Sequence, residues 1–397
     1  MLLQLKRIPY RLPLRRPWRT AHGVRRERAG WLVQASGDGC CGYGDCAPLP
    51  EAGTETPLAA AERLSTWLRE HGQCTLQTQL ALLEHAVPSA TPAADAALET
   101  ALLDLSARLG RLPLRESLLG DGSRAGSSKA TSEIEINAAL GAVAASSQPA
   151  VPDQVSDDAS WDQVSAEIPE AAPQGAEQAL HPALAAGFRV LKVKVGVAPV
   201  EQELAAIRHL CARLPPGARL RLDANRAWSL PTARKLLDDL LPLANWIESL
   251  EEPCAAATDA ELRVLQARTP IALAVDESLP ARGWPLDPEQ LPLRRLVLKP
   301  GIVGGLRPTL ALARRARSAG LEVVITSLIE SAAGLWSSAQ LAAATGSPLA
   351  HGLATGIWLA ADLGAAPAIA RGYIQLPKRP GSGFSPAQRA ADEPVSF

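Results

Sequence analysis

An excess of either charge is missing from this sequence: 40 Lys and Arg stand against 41 Asp and Glu, for a formal net charge of −1. Binding through phosphates needs a clustered basic face, so near-neutral charge argues against nucleic acid and none is expected as a partner. An apolar signal-peptide core is missing too, because the N-terminal stretch MLLQLKRIPYRLPLRRPWR carries Lys or Arg throughout. The six cysteines (Cys40, Cys41, Cys46, Cys74, Cys211 and Cys254) are therefore expected to be thiols in a reducing, cytoplasmic setting. Cys40, Cys41 and Cys46 lack a second His/Cys cluster at zinc spacing, which leaves them as ordinary buried or turn thiols. One run, between Glu330 and Asp362, has no Asp, Glu, Lys or Arg and is long enough to suggest a membrane span. Gly346, Pro348, His351, Gly352 and Gly356 interrupt it, so a buried helix followed by a buried strand is expected and no membrane partner. Gly304-Gly305 lacks the Gly-Lys-Ser pattern of a phosphate loop and reads as a turn into the next helix.

What is present is length and apolar patterning. The 397 residues, 47% of them hydrophobic, suffice for two or three domains at roughly 150 residues each and for a large core. Residues 1–130 read as an α+β unit: LLQLKRIPY, GWLVQAS and GCCGYGDCA are short strands, followed by helical spacing over Leu58 to Glu70 and Ala93 to Leu109. From about Ser132 strand and helix alternate. Eight β-branched or Leu-rich runs recur: EIEINAAL (133–140), FRVLKVKV (188–195), RLRLD (219–223), WIESLEE (246–252), IALAVDE (271–277), RLVLKP (295–300), LEVVIT (321–326) and LAHGLAT (349–355). Amphipathic stretches such as Val200 to Arg213, Pro231 to Leu241 and Leu306 to Ala319 separate most of them. This alternation predicts a closed parallel α/β barrel of TIM type over residues 131–371. The Ser/Ala/Pro/Asp-rich stretch 142–175 is expected to be an insertion without chemistry. The tail, 372–397, is too broken by Pro and Gly for regular elements and is expected to pack back on the first domain.

In a parallel barrel the C-terminal strand ends face the active site. Here those ends carry Lys192 and Lys194, then Asp223 with Asn225, Glu251 with Glu252, Asp276 with Glu277, and Lys299. A strand period of two places Lys192 and Lys194 on one face, where mutual repulsion and partial burial would lower the pKa of one of them into the range of a general base. Asp223, Glu251 and Asp276 follow at intervals of 28 and 25 residues, about one βα unit each. Three carboxylates meeting at one point of the rim call for a hard divalent cation, most naturally Mg²⁺. Taken singly, each acid reads equally well as a helix cap or an arginine partner. The second and sixth strands of an eight-stranded ring lie opposite each other, so Lys194 and Lys299 would face one another across the metal's ligand. Such a site can abstract a proton next to a carboxylate while cations stabilise the enediolate. Arg221 shares the inward face of Asp223 and fits either this site or a packed ionic layer within the barrel.

The ordered set LKVKVG (191–196), RLDANRAW (221–228), SLEEP (249–253), AVDES (274–278), LVLKP (296–300) and TSLIES (326–331), with GYGDCAPLPEAGTET (42–56) before it, resembles the lysine-lysine subgroup of the enolase superfamily, the o-succinylbenzoate synthases above all. The resemblance implies a modified (β/α)7β barrel with an N-terminal α+β capping domain. It implies Lys194 as acid/base, tuned by Lys192, and Lys299 stabilising the enediolate. It also implies Asp223, Glu251 and Asp276 as ligands of Mg²⁺, for which Mn²⁺ can substitute, with Glu251 rather than Glu252 the ligand. TAHGVRRERAG (20–30) would be a lid and Ser327 would lie near the succinyl end of a small carboxylate substrate. Arg221 and Asn225 flank the first ligand. Leu328 departs from the small polar residue that relatives often carry. The reaction implied is a syn dehydration in menaquinone or phylloquinone biosynthesis.

Two rivals use the same residues differently. N-acylamino-acid racemases and dipeptide epimerases also place two lysines about a metal-bound carboxylate. The latter usually carry an Asp-x-Asp after the last strand, whereas HGLATGIWLAADL (351–363) has no acid before Asp362. A non-catalytic relative is the second rival, and it must explain why five polar residues are retained where burial is costly.

Overall fold

A computed structural model describes residues 3–20, 23–84, 88–120, 131–144 and 175–387. They group into two compact units, 1–138 with 272–397, and 139–271.

The first unit opens with an antiparallel sheet of β1 (Gln4–Thr20), β2 (Gly23–Gly37) and β3 (Cys40–Cys46), in that order. Asp38 and Gly39, both at positive φ, form the two-residue turn between β2 and β3 that suits strand twist. Pairing of β1 with β2 runs out to Thr20 opposite Gly23. Residues 23–30, expected within a free lid loop, therefore belong to a hairpin strand, and 21–22 lie outside the described residues.

Helices α1 (Pro57–His71), α2 (Leu76–Leu82), α3 (Pro92–Leu109) and α4 (Leu114–Leu119) follow, α1 capped by the Thr56 side chain accepting from the Ala59 N–H. α3 lies against β3 with no side chain between. A Cβ at Gly42 would come within 2.2 Å of Ala101 O, and one at Gly44 within 2.0 Å of Ala97 O. Val33, Cys46, Leu64, Trp67, Leu98, Leu102 and Leu105 fill the core beneath. The segment 133–140, expected as one strand, divides. β4 (Glu133–Glu135) joins a small sheet, and the N–H groups of Ile136 and Asn137, which follow it, donate to Gly372 O and His351 O.

The second unit holds β5 (Ala138–Ala142), α5 (Ala176–Ala185), β6 (Val190–Lys194), α6 (Val200–Cys211), β7 (Arg219–Asp223), α7 (Leu230–Leu240), β8 (Ile247–Glu251) and α8 (Asp259–Ala267). The strands run in the order β5-β6-β7-β8. Ser229 caps α7, and Thr258 with Glu261 forms a capping box on α8. Most of the expected insertion, residues 145–174, lies outside the described residues.

The first unit resumes with β9 (Ala272–Val275), β10 (Arg295–Leu298), α9 (Pro300–Val303), α10 (Leu306–Ser318), β11 (Glu322–Ile325) and α11 (Ala332–Thr345), with β9, β10 and β11 parallel. Gly304 and Gly305 turn the chain between α9 and α10 as expected. The carboxylate of Glu99, accepting from the N–H groups of Leu306 and Arg307, occupies the start of α10. The uncharged run contains the almost wholly buried α11, and no helix among the described residues is long and apolar enough to cross a membrane.

Two expectations about the C-terminal part are corrected. LAHGLAT makes only isolated bridges, Ile136 with His351 and Thr326 with Gly352, before a 3-10 turn at Ala354–Trp358 ends the pairing. The tail does form regular structure: just after β12 (Ile369–Ala370), which precedes the tail, β13 (Tyr373–Gln375) pairs with both β12 and β4. Further on it returns to α3 and α4, where Asp104 accepts from Ser382 N–H and Leu114 N–H donates to Gly381 O.

Candidate active site

In the second unit, strand register sets three polar residues in one row: Lys194 pairs with Asp223 and Asp223 with Glu251. Val193, fully buried, points away from the face shared by Lys192 and Lys194. Lys194 is exposed at the strand end, whereas Lys192 is drawn between two carboxylates. Its Nζ lies 2.5 Å from Glu251 Oε2 and 2.9 Å from Asp223 Oδ2. Burial pushes the Asp223 carboxyl up, but the Lys192 ammonium, the Asn225 N–H and the charge of Lys194 outweigh it and hold Asp223 below the usual carboxylate range. One compact cation cradled by two carboxylate oxygens is an arrangement that a hard divalent ion also takes, so this donor set fits Mg²⁺. Among the described residues no three His, Cys, Asp or Glu side chains are already gathered about a point.

Asn225, at φ +42, turns the chain beyond β7, and its N–H donates to Asp223 Oδ1 at 3.2 Å. Arg221 is 1% exposed and reaches Glu248 through Nε at 2.8 Å and Nη2 at 3.3 Å. The Arg221 side chain is thus ion-paired with Glu248. Glu252 stands at φ +45, and its carbonyl accepts from Arg226 N–H.

In the first unit, Lys299 follows β10 and its Nζ donates to Asp276 Oδ1 at 2.5 Å. Both side chains are nearly buried, at 12% and 10% exposure. Ser327, just beyond β11, shares its hydroxyl with Thr355 at 2.5 Å and accepts from Ile329 N–H. Leu328 turns into an apolar cluster with Leu49 and Ile302 rather than toward solvent. Its size is therefore used in the core.

Several residues that shape these strand ends had no assignment from sequence. Glu203, fully buried on α6, accepts from the N–H groups of Gly196, Val197 and Ala198, fixing the turn that follows Lys194. Its signal was an acid on the apolar stripe of Leu204, Ile207 and Cys211. Behind Ser327 lies a group of buried acids. Asp45 accepts from Tyr10 Oη and Ser331 N–H, both at 2.6 Å, and Glu330 accepts from Leu328 N–H at 2.7 Å. Burial, reinforced by the charge of Asp45, pushes Glu330 up to about 7 against backbone hydrogen bonds and the opposing charge of Arg28. Burial likewise raises Asp362 to about 6. Asp45, Thr100, Gly301, Leu328, Glu330 and Ser338 are among the residues lining a cavity of about 30 Å³, room for a water molecule or two.

The family model described as "Enolase C-terminal domain-like" matches residues 174–390, and one described as "MenC, N-terminal domain" matches residues 4–100. The chain is similar to the o-succinylbenzoate synthase of Pasteurella multocida (strain Pm70), 27% identical over 349 residues that make up 86% of each protein. It is also similar to that of Yersinia enterocolitica (serotype O:8 / biotype 1B, strain NCTC 13174 / 8081), 39% identical over 157 residues, 39% of this chain and 47% of that one, so this match spans about half of the relative. Among solved structures, the N-succinyl Arg/Lys racemase from Bacillus cereus ATCC 14579 superposes with a TM-score of 0.78 at 20% identity, covering 100% of this chain and 99% of that one. The L-Ala-D/L-Glu epimerase from Bacillus subtilis does so with 0.76 at 21% identity, covering 96% and 98%. At such identities the likeness shows the fold: a modified (β/α)7β barrel of TIM type with an N-terminal α+β capping domain.

Proposed function

The chain belongs to the enolase C-terminal domain-like family, and on that premise we propose that it catalyses the o-succinylbenzoate synthase reaction, the dehydration of 2-succinyl-6-hydroxy-2,4-cyclohexadiene-1-carboxylate to 2-succinylbenzoate in menaquinone or phylloquinone biosynthesis. The reading is supported by the synthase relative aligned over 86% of both chains and by the matched N-terminal family. The observation that carries it is the Lys192 ammonium held by Asp223 and Glu251 beside an exposed Lys194 in register with Asp223.

Asp223, Glu251 and Asp276 would hold Mg²⁺, or Mn²⁺ in its place, and the bound ion would supply positive charge to the substrate carboxylate. Lys194 takes the proton α to that carboxylate through its Nζ. It then passes the proton to the departing hydroxyl on the same face, so hydrogen and hydroxide leave together as water and one base serves both transfers. Lys299 sets its charge against the enediolate and its position over the ring. Lys192 tunes Lys194 by proximity, Asn225 orients Asp223, Arg221 buttresses β7 from beneath, and Ser327 lines the succinyl end. Residues 1–130 with 372–397 serve as the capping domain and 131–371 as the barrel.

The test is an absorbance assay for loss of the cyclohexadiene, comparing wild type with Lys194→Ala. Turnover that requires Mg²⁺, stops with EDTA and disappears in the variant is expected. A wild type inactive with metal present overturns the reading, and α-proton exchange on N-acylamino acids in deuterated water would then favour the racemase alternative.

A further inference from the structure

Arg28 sits in β2 on the face that also presents Gly30 and Leu32 to the interior, and it is 1% exposed. Its guanidinium fork goes to main-chain carbonyls: Nη2 to Ala47 O at 2.8 Å, Nη1 to Pro48 O at 3.2 Å and Nε to Ile329 O at 3.2 Å. The last of these crosses 301 residues of sequence to reach the turn after β11.

That turn is held in a shape it would not choose. Ile329 stands at φ +61, a left-handed conformation that a β-branched residue keeps only when its surroundings impose it. The surroundings are explicit: Ser327 Oγ takes the Ile329 N–H, Glu330 takes the Leu328 N–H, Asp45 takes the Ser331 N–H, and Arg28 takes the Ile329 carbonyl. Tyr10, Leu12 and Leu359 enclose the Ile329 side chain. The turn begins at the C-terminal end of β11, where a parallel barrel carries its chemistry. Thr326 N–H donates to Leu298 O on β10, so the residue that leads into the turn is tied beside Lys299.

We propose that Arg28 is a positioning residue for the substrate pocket: from the N-terminal hairpin it fixes the Ser327–Glu330 turn as a wall of the site. The inference rests on the synthase reading above. Lysine at this position keeps the charge but cannot span three carbonyls, and methionine keeps only bulk.

The experiment measures steady-state dehydration by wild type, Arg28→Lys and Arg28→Met in saturating Mg²⁺, with melting curves and amide exchange over residues 327–331 on the same preparations. Expected are cooperative melts, a KM raised about tenfold or more with kcat within about threefold, and faster exchange at Leu328 and Ile329 in both variants. Unchanged KM, or unchanged exchange, in a folded variant overturns the proposal. If Arg28→Met does not fold, Arg28→Lys decides alone. A wild type without synthase activity is a failure of the synthase reading, and the exchange arm still decides whether Arg28 holds the turn.

Discussion

The Lys192 ammonium and the Glu251 carboxylate meet at 2.5 Å, with the carboxylate side chain only 3% exposed. With Asp223 2.9 Å from the same nitrogen, a single lysine balances two acids that strand register has forced side by side. The balance defines what a metal must compete with or complete.

Mg²⁺ is therefore expected to stabilise the fold. At a free concentration about a hundred times its dissociation constant the gain is about 2.7 kcal/mol, and EDTA reverses it. Thermal unfolding with and without Mg²⁺ reads this directly. A melting temperature indifferent to the ion would argue that the carboxylates serve only as salt-bridge partners.

Lys192→Ala leaves Asp223 and Glu251 facing each other without their cation. A destabilisation of about 2–3 kcal/mol is expected in metal-free urea unfolding. It falls below the range for fully buried pairs because a quarter of the Lys192 side chain is exposed. Mg²⁺ should restore more stability to this variant than to wild type, and equal responses would count against a shared cation site.

Glu203→Ala orphans three N–H groups in the turn after Lys194. The expected loss is about 3 kcal/mol, with a fall in kcat as the base loses its fixed exit from β6. Chemical denaturation and turnover, measured together, check both parts. Glu203→Gln, which retains an acceptor, should lie between.

Glu330 predicts a pH dependence of unusual sign. Its folded value of about 7 lies above its ordinary value of 4.5, because burial opposes ionisation. The folded protein thus holds a proton that the unfolded chain releases. The group's contribution is fully present below about 4.5 and is lost as pH rises toward 7, an effect of about 3 kcal/mol. Glu330→Gln keeps an acceptor for Leu328 N–H and should flatten this slope. Denaturation midpoints across the window in both proteins would show it, and parallel curves would contradict it.

Sequence periodicity carried element type and facing well. The apolar stripe of 200–213 became α6 at Val200–Cys211, and alternation correctly placed Lys192 and Lys194 on one side of β6 with Val193 on the other. It failed where pairing depended on remote chain. LAHGLAT has the composition of a strand yet forms two bridges, since its neighbours are single residues at Ile136 and Thr326. The tail looked irregular because its three-residue strand is stabilised by β4, more than 230 residues earlier, and by no pattern of its own.

The sequence by itself determined which side chains stand at the ends of which strands, because the alternation of a strand and the length of a βα unit are local properties of the chain. Only the tertiary structure decided what those side chains touch: Arg221 on Glu248, Lys299 on Asp276, and Arg28 on the carbonyl of Ile329. A long polar side chain finds its partner among backbone and carboxyl groups that folding brings near. That choice depends on distance in space and on burial, neither of which is written in the spacing of residues along the chain.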